Sequence, residues 1–432
     1  MCMRTVSTML VLSTLLFGDD LAEARQSLAN LDEAKVGAFE LPDPLRMADA
    51  TAVATSELWF GKRRPEVLAL FRDHVYGNPP AGWGALRFTP LETKSAALGG
   101  LATRKRVRIT LQEQPEWAGI ELMLYVPNGK TSPAPCFMGL SFGGNHAVST
   151  ETDVPLSTRW MRPGKEKGIV DNRATEASRG IESSRWPLEE ILKRGYAVAT
   201  AYYGDIEPDH AEGWKDGVRA ALSPAGKDTV WGESDWGAIG AWAWGLSRML
   251  DYLGTDADVD ETRCAVIGHS RLGKTSLWAG AQDERFAMVI SNNSGEGGAA
   301  LMRRNFGETT EVITRVFPHW FAPKYRSYKD DASACPVDQH MLLALAAPRP
   351  AYVASAAEDQ WADPKGEFLA AMHAGPVYAL FGKKGVGVDE QPGIDHPVGE
   401  AIGYHLRAGK HDVKLYDWER YLDFADRHGS GG

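Results

Sequence analysis

The segment Cys264–Thr275, CAVIGHSRLGKT, constrains the fold of this chain more than any other stretch. It begins as a short apolar run between charged residues, a pattern that predicts a strand buried in the centre of a sheet. The chain then turns through Gly268 and Gly273 into a segment of helical composition. A serine at this junction, Ser270, has its hydroxyl raised out of the sheet beside a helix N-terminus, where negative charge is favoured.

The spacing around Ser270 departs from the G-x-S-x-G pattern of the nucleophile elbow in α/β-hydrolases. Leu272 stands where the second glycine belongs, and Gly273 follows one position later. Turns of small residues between a strand and a helix are common, so a purely structural turn is the alternative. We take the elbow as the working hypothesis.

Strand-like and helix-like segments alternate along most of the chain. Strand patterns recur near residues 121–127, 134–142, 196–206, 262–270, 286–294, 349–359 and 376–382, with helical patterns between them. This alternation predicts an α/β-hydrolase fold with a mostly parallel central sheet and helices on both faces, a three-layer sandwich. We expect one catalytic domain over residues 25–432. It has an N-terminal extension over about 25–118 and a polar insertion near 150–190.

Residues 1–24 have the parts of a secretory signal peptide. A charged start is followed by the apolar run TVSTMLVLSTLLFG and by the small residues Ala22 and Ala24, which predict cleavage after Ala24. The run is too short for a spanning helix, and a buried N-terminal helix is the alternative. We therefore expect a secreted or periplasmic protein that does not enter the membrane.

Composition narrows the range of partners. The net charge of −10 argues against nucleic acid as a partner. Removal of the signal leaves Cys136, Cys264 and Cys335, an odd number with two members in predicted strands, so no disulfide framework is expected. We expect a monomer.

A serine nucleophile needs a histidine base and a carboxylate, which in this fold follow in the order serine, acid, histidine. His411 lies after a glycine loop and before a final amphipathic segment, where a hydrolase base projects. His396 beside Pro397, His405 in a segment that reads as helical, and His428 in the tail are the alternatives.

Asp359 is the predicted acid because it stands at the C-terminal end of the strand pattern 349–359. Glu358 points to the opposite face by strand alternation, and Asp363 is placed to cap the following helix. The alternative is that all three acids merely cap loops. Asn293 follows an earlier strand and can orient an imidazole without neutralising its charge. On residue type alone, Asn293→Asp is expected to cost little activity or to raise it.

Six ordered segments carry a resemblance to a known family. They are LSFGGNH near 140–146, GHSRLGK, SNNSGEGG, FGE, EDQWADPKGEF, and GKHD with DWERYLDF. They resemble the glucuronoyl esterases, carbohydrate esterase family 15, in their bacterial form. The resemblance covers most of residues 35–428, and the S-R-x-G-K elbow is its specific part. It implies an exported hydrolase, without metal or cofactor, that cleaves esters between 4-O-methyl-glucuronic acid on xylan and lignin alcohols.

The resemblance also implies catalytic roles by position. Ser270 is the expected nucleophile and His411 the base, while Arg271 supplies a backbone N–H and its guanidinium to the oxyanion. The family's frequent catalytic glutamate is Asn293 here, which leaves the acid role to Asp359, a position that some bacterial members are thought to use.

Three further positions match residues that contact the hydroxyls and the face of the glucuronate, namely Lys274, Glu308 and Trp361. Their alternative roles are a solvated helix residue, a surface acid and a lid-packing residue. Two other functions compete with the glucuronoyl esterase. An acetyl-xylan or cinnamoyl esterase would use the same triad on an acyl group that needs no cationic clamp. A non-catalytic carbohydrate-binding relative would lack the serine, the acid or the base.

Overall fold

A nine-stranded sheet forms the centre of the protein in the computed structural model, which describes residues 29–129 and 133–429. The strands are β1 (Leu86–Ala97), β2 (Ala102–Leu111), β3 (Ile120–Pro127), β4 (Ala134–Ser141), β5 (Ala197–Tyr202), β6 (Val259–His269), β7 (Met288–Asn292), β8 (Ala351–Ala356) and β9 (Ile402–Arg407). Their spatial order is β1-β2-β3-β5-β4-β6-β7-β8-β9. From β5 to β9 all neighbours are parallel, whereas β1, β2 and β3 pair antiparallel.

The longer helices of the described residues cover both faces of this sheet. They are α1 (Arg64–Phe71), α2 (Leu188–Lys193), α3 (Val218–Leu222), α4 (Ala238–Leu253), α5 (Arg271–Gln282), α6 (Thr310–Val316), α7 (Gln339–Ala344), α8 (Pro364–Ala379) and α9 (Leu415–Gly429). Helices α4, α5, α7 and α8 contribute to one hydrophobic cluster, and α2 and α9 to a second. The predicted mostly parallel sheet between two helical layers is confirmed.

Alternate residues of β6 serve the two layers. Cys264 and Val266 belong to the cluster that contains Trp278 of α5, whereas Ala265 and Ile267 belong to the other. Because both faces of the strand are covered over its second half, residues 264–268 are apolar throughout rather than alternately, whereas the charged residues before them are exposed or half-buried. This burial explains the apolar run before Ser270 in the sequence.

Two segments near the C-terminus differ from the sequence prediction. Residues 376–382, expected as a strand, form the end of α8 and the turn after it. Their apolar side chains continue the buried face of that helix, since Ala374, Val377 and Tyr378 are buried at helical spacing. Residues 402–407, which read as helical around His405, form the edge strand β9 paired with β8.

Arg104 of β2 connects the sheet to the polar segment near 150–190. Its fully buried guanidinium donates to Glu92 at 2.6 and 2.9 Å, to Glu151 at 2.8 Å and to Asp153 at 3.0 Å. The segment contains a two-stranded ribbon, Ile169–Val170 with Arg173–Ala174. Arg104 thereby attaches the start of the 150–190 segment to the sheet.

The predicted signal peptide, residues 1–24, lies outside the described residues. Within residues 29–129 and 133–429, no helix is both long and apolar enough to span a bilayer. In that part of the chain Cys136, Cys264 and Cys335 are free and buried.

Candidate active site

Ser270 occupies a sharp turn between β6 and α5. Its φ of 57° and ψ of −129° are strained for a residue with a side chain. Its N–H donates to the Asn292 carbonyl at 2.9 Å, and its own carbonyl accepts from Gly273 at 2.8 Å. Gly268 is required here, because a Cβ at this position would lie 1.8 Å from the carbonyl oxygen of Leu272. The predicted elbow geometry is therefore present, with the shifted glycine spacing accommodated in the first turn of α5.

His411 and Asp359 form a hydrogen-bonded pair in the loops after β9 and β8. His411 Nδ1 lies 2.6 Å from Asp359 Oδ2, and the carboxylate is almost fully buried. The imidazole is 38% exposed, so it faces the solvent side of the pair. A buried carboxylate in this position selects the tautomer with the proton on Nδ1 and leaves Nε2 as the basic nitrogen.

One cleft of about 310 Å³ brings the predicted site residues together. All seven line it: Ser270, Arg271, Lys274, Glu308, Asp359, Trp361 and His411. Sequence reasoning missed Phe317 and Trp320, which also line the cleft, because their segment lies outside every motif quoted above. The cleft combines a serine, an imidazole, two cationic side chains and several aromatic rings.

Arg271 carries a fixed positive charge at the cleft. Its guanidinium lies 4.6 Å from the ring centre of Trp320 and 5.3 Å from that of Phe317, within cation–π range. Nη1 donates to the buried carboxylate of Asp209. Burial alone would lower the pKa of Arg271, but the charge of Asp209, the hydrogen bond to it and the other acidic groups nearby together outweigh burial and raise the pKa. Among the described residues, Nε has no hydrogen-bond partner.

Lys274 and Glu308 form a buried ion pair. Lys274 Nζ lies 2.9 Å from Glu308 Oε2 and 2.5 Å from the carbonyl oxygen of Ser294. The lysine is 2% and the glutamate 7% exposed, so neither is a solvated surface residue. The backbone N–H of Glu308 donates to the Trp361 carbonyl at 2.8 Å, which joins the pair to the loop that follows β8.

Asn293 contacts the acid directly. Its Nδ2 donates to Asp359 Oδ2 at 2.9 Å, the same oxygen that His411 contacts. Asn293 is 1% exposed and has a φ of 46°, while its Oδ1 has no partner among the described residues. The amide therefore orients Asp359 and adds no charge.

The other C-terminal histidines have structural partners. His405 is buried between Tyr352 at 3.0 Å and Asp417 at 2.8 Å. His396 contacts the Ile394 carbonyl and His428 the Glu400 carbonyl, each through one ring nitrogen. None of the three histidines lines the cleft.

His269 is a second imidazole that the sequence reasoning did not single out. Its ring centre lies 4.4 Å from that of His411, and its Nδ1 lies 2.7 Å from Asn292 Oδ1. Burial, reinforced by the charge that His411 can carry, holds the pKa of His269 well below its usual value. His269 is therefore neutral and packs against the predicted base.

Glu367 lies beneath the cleft and holds the loop after β7. Its Oε1 accepts from the backbone N–H of Ser294 at 2.7 Å and of Gly295 at 3.1 Å. Its Oε2 lies 2.6 Å from Ser355 Oγ. Burial raises the pKa of Glu367 to about 8, and the nearby charge of Asp359 adds to the rise. The carboxyl is therefore un-ionised at neutral pH.

The chain is similar to known carbohydrate esterases in sequence and in fold. A family model described as glucuronyl esterase of fungi matches residues 228–382. A carbohydrate esterase from an unknown prokaryotic organism is 46% identical over 424 residues, 98% of either chain. The solved glucuronoyl esterase from Solibacter usitatus is 50% identical with a TM-score of 0.86, over 91% of this chain and 99% of that one. A promiscuous CE15 esterase from a marine bacterial metagenome is 48% identical with a TM-score of 0.87, over 93% and 100%.

The contact between Asn293 and Asp359 changes the expectation for Asn293→Asp. A second carboxylate would stand against Asp359. Repulsion between the two like charges raises the pKa of one acid, and the added negative charge raises the pKa of the neighbouring imidazole. We expect kcat to fall about tenfold at neutral pH and the acid limb of the kcat/KM profile to move to higher pH. Initial rates from pH 5 to 9 measure both effects.

The matched control is Asn293→Gly, which accepts the positive φ and removes the amide without adding charge. It should lower kcat and leave the position of the acid limb unchanged. An acid limb that stays in place in the Asp variant would contradict the predicted repulsion.

The raised pKa of Glu367 predicts a pH dependence of stability. The buried carboxyl keeps its proton up to about pH 8, whereas in the unfolded chain it ionises near its ordinary value of 4.5. The folded state binds more protons in this window, so the free energy of unfolding decreases as pH rises through it. Glu367→Gln cannot ionise and should lose less stability between pH 5 and pH 8.5 in urea unfolding. The exposed Glu358→Gln is the control, and an unchanged pH dependence in Glu367→Gln would refute an un-ionised Glu367.

Proposed function

The chain belongs to carbohydrate esterase family 15, the glucuronoyl esterases, and we propose that its Ser270 cleaves the ester of glucuronic or 4-O-methyl-glucuronic acid on glucuronoxylan. The lignin–carbohydrate cross-link is the proposed natural form of this ester. One observation supports the assignment of the catalytic residues. The hydrogen bond between His411 and Asp359 lies at the same cleft as Ser270, which stands on a strained turn.

Ester cleavage proceeds through an acyl-enzyme. His411 Nε2 takes the proton of Ser270 as the hydroxyl attacks C6 of the uronate ester, and the resulting imidazolium gives that proton to the leaving alcohol. A water molecule, activated by the same nitrogen, then hydrolyses the acyl-enzyme. Asp359 stabilises the imidazolium through Nδ1–H.

Arg271 is the proposed oxyanion donor, through its backbone N–H and its guanidinium. In this fold the second amide of the oxyanion hole comes from the loop after the strand beside the nucleophile strand, which here is β4. In that loop the Phe142 N–H donates to the buried Glu182 carboxyl at 3.2 Å. Because the Phe142 amide already has a hydrogen-bond partner, the Arg271 guanidinium is the charged group that can donate to the oxyanion. This supports its proposed role.

Lys274, Glu308 and Trp361 are the proposed binding residues for the sugar. The ammonium and the carboxylate present a donor and an acceptor to ring hydroxyls. An aromatic ring at the cleft wall provides an apolar surface for the sugar face. The ester at C6 of the uronic acid is itself neutral, so the permanent charge of Arg271 acts on the negative charge that develops during the reaction and on the uronate that is released.

Export and domain organisation are part of the same proposal. Residues 1–24 act as a cleaved signal peptide, and residues 25–432 act as one catalytic domain outside the cytoplasm. The proposed working form is a monomer.

Ser270→Ala tests the nucleophile. We expect kcat/KM for benzyl glucuronate to fall by at least about 10³-fold with an unchanged melting temperature. Rates on benzyl galacturonate and 4-nitrophenyl acetate, measured alongside, separate a uronate esterase from an acetyl esterase of the same fold. Ser327→Ala, at an exposed serine, should match the parent protein. Full activity in Ser270→Ala would sink the assignment, and preference for the aryl acetate would favour the alternative acyl group.

Expression of the full chain in a secreting bacterial host tests the signal peptide. Mass spectrometry of the exported protein should show Arg25 as the first residue. Recovery of an intact N-terminus in the exported fraction would contradict cleavage after Ala24.

A further inference from the structure

A buried carboxylate behind Arg271 takes no part in the steps above. Asp209 lies in the loop after β5, and its side chain is completely buried. It does not line the cleft, so it does not contact a substrate bound there. No motif in the sequence singled it out.

Asp209 accepts hydrogen bonds from five side chains that come from four separate parts of the chain. Oδ2 accepts from Arg162 at 3.0 Å, from Tyr203 at 3.0 Å and from Arg271, while Oδ1 accepts from His319 at 2.9 Å and from Trp320 at 2.7 Å. Burial would raise the pKa of Asp209, but the charge of Arg271 and the other donors outweigh it and hold the pKa well below its usual value. The carboxylate is therefore ionised.

These contacts hold both the guanidinium of Arg271 and the ring on which it rests. Trp320 donates its Nε1–H to Asp209, and the same ring lies 4.6 Å beneath the guanidinium. Arg271 has a long side chain with several rotatable bonds. Contact with the Trp320 ring alone would leave those bonds free to rotate. With Asp209 bonded to both groups, the charge and its aromatic support keep one geometry. A donor that is already in place needs no reorganisation when charge develops in the transition state.

The balance of charges around Asp209 also leaves positive charge available at the cleft. Two guanidinium groups, Arg162 and Arg271, share one carboxylate, so one positive charge is left uncompensated. A buried arginine without any partner would be costly, and an arginine fully neutralised by its own carboxylate would stabilise an oxyanion less. The shared carboxylate avoids both outcomes.

We propose that Asp209 is the positioning residue of Arg271, acting on the reaction only by holding the guanidinium where the oxyanion forms. This inference rests on the proposed role of Arg271. It predicts that loss of Asp209 matters for the chemical step, and that it matters only while Arg271 is present.

A double-mutant cycle tests this dependence on methyl glucuronate or benzyl glucuronate as substrate. Asp209→Asn should lower kcat by about 10- to 100-fold and change KM by less than about threefold, because the loss is in a transition-state contact. Arg271→Met should lower kcat by about 10²–10³-fold. In the Arg271→Met background, Asp209→Asn should cost less than about threefold more, since its target is gone.

A buried ion pair nearby provides the matched control. Glu207 is fully buried and bonds Arg219 at 2.7 Å, without contact to Arg271. Any loss of activity caused by Glu207→Gln should be the same fold-change in both backgrounds. An additive loss for Asp209→Asn, like that of the control, would overturn the proposal and assign Asp209 a structural role. A loss confined to KM would do the same.

A milder variant covers the case in which Asp209→Asn does not fold. Tyr203→Phe removes one neutral donor from the oxygen that Arg271 uses and keeps the ring. Its loss of kcat should disappear in the Arg271→Met background, and persistence there would count against the proposal. If Arg271→Met alone leaves kcat unchanged, the oxyanion role of Arg271 fails first. The proposal for Asp209 alone fails in a different way: Arg271→Met lowers kcat, but the effects of the two substitutions are additive.

Discussion

The strained turn at Ser270 is the constraint on which the rest of the site depends. A positive φ at a residue with a side chain costs on the order of 1–3 kcal/mol and persists only when its surroundings impose it. Here β6 lies between β4 and β7, both of its faces are covered, and the Ser270 N–H bonds the end of β7. The buried centre of the sheet therefore fixes the position of Ser270 at the C-terminal end of β6.

Charges around that turn are buried in pairs. Three pairs meet at or behind the cleft: His411 with Asp359, Lys274 with Glu308, and Arg271 with Asp209. An isolated buried ion costs several kcal/mol, and in each pair the hydrogen-bonded partner offsets part of that cost. Neutral groups complete the arrangement, with Asn293 beside the acid and His269 against the base. The site thus concentrates charge, and the one positive charge left over, from the two arginines that share Asp209, lies at the cleft.

Sequence reasoning succeeded where local chemistry decides the structure. Glycine spacing and an apolar run locate the turn at Ser270, and one helical turn places Lys274 on the same side. It failed where a partner element decides: Ile402–Arg407 is a strand because it pairs with β8, although its own pattern is ambiguous. For the same reason Asp209 and the contacts of Glu367 and Asn293 were not found: Glu367 and Asn293 lie within quoted motifs, but their partners are 73 and 66 positions away along the chain.

By itself the sequence determined the layered sheet, the strand–turn–helix junction at Ser270 and a resemblance carried by motifs along most of the chain, and it predicted the order serine, acid, histidine. Only the tertiary structure decided which of four histidines meets which carboxylate, and what stands behind the arginine. His411 and Asp359 are 52 positions apart, and Arg271 and Asp209 are 62 apart. Local propensity and periodicity act over a few residues, whereas these contacts exist only because strand pairing brings distant loops to one edge of the sheet.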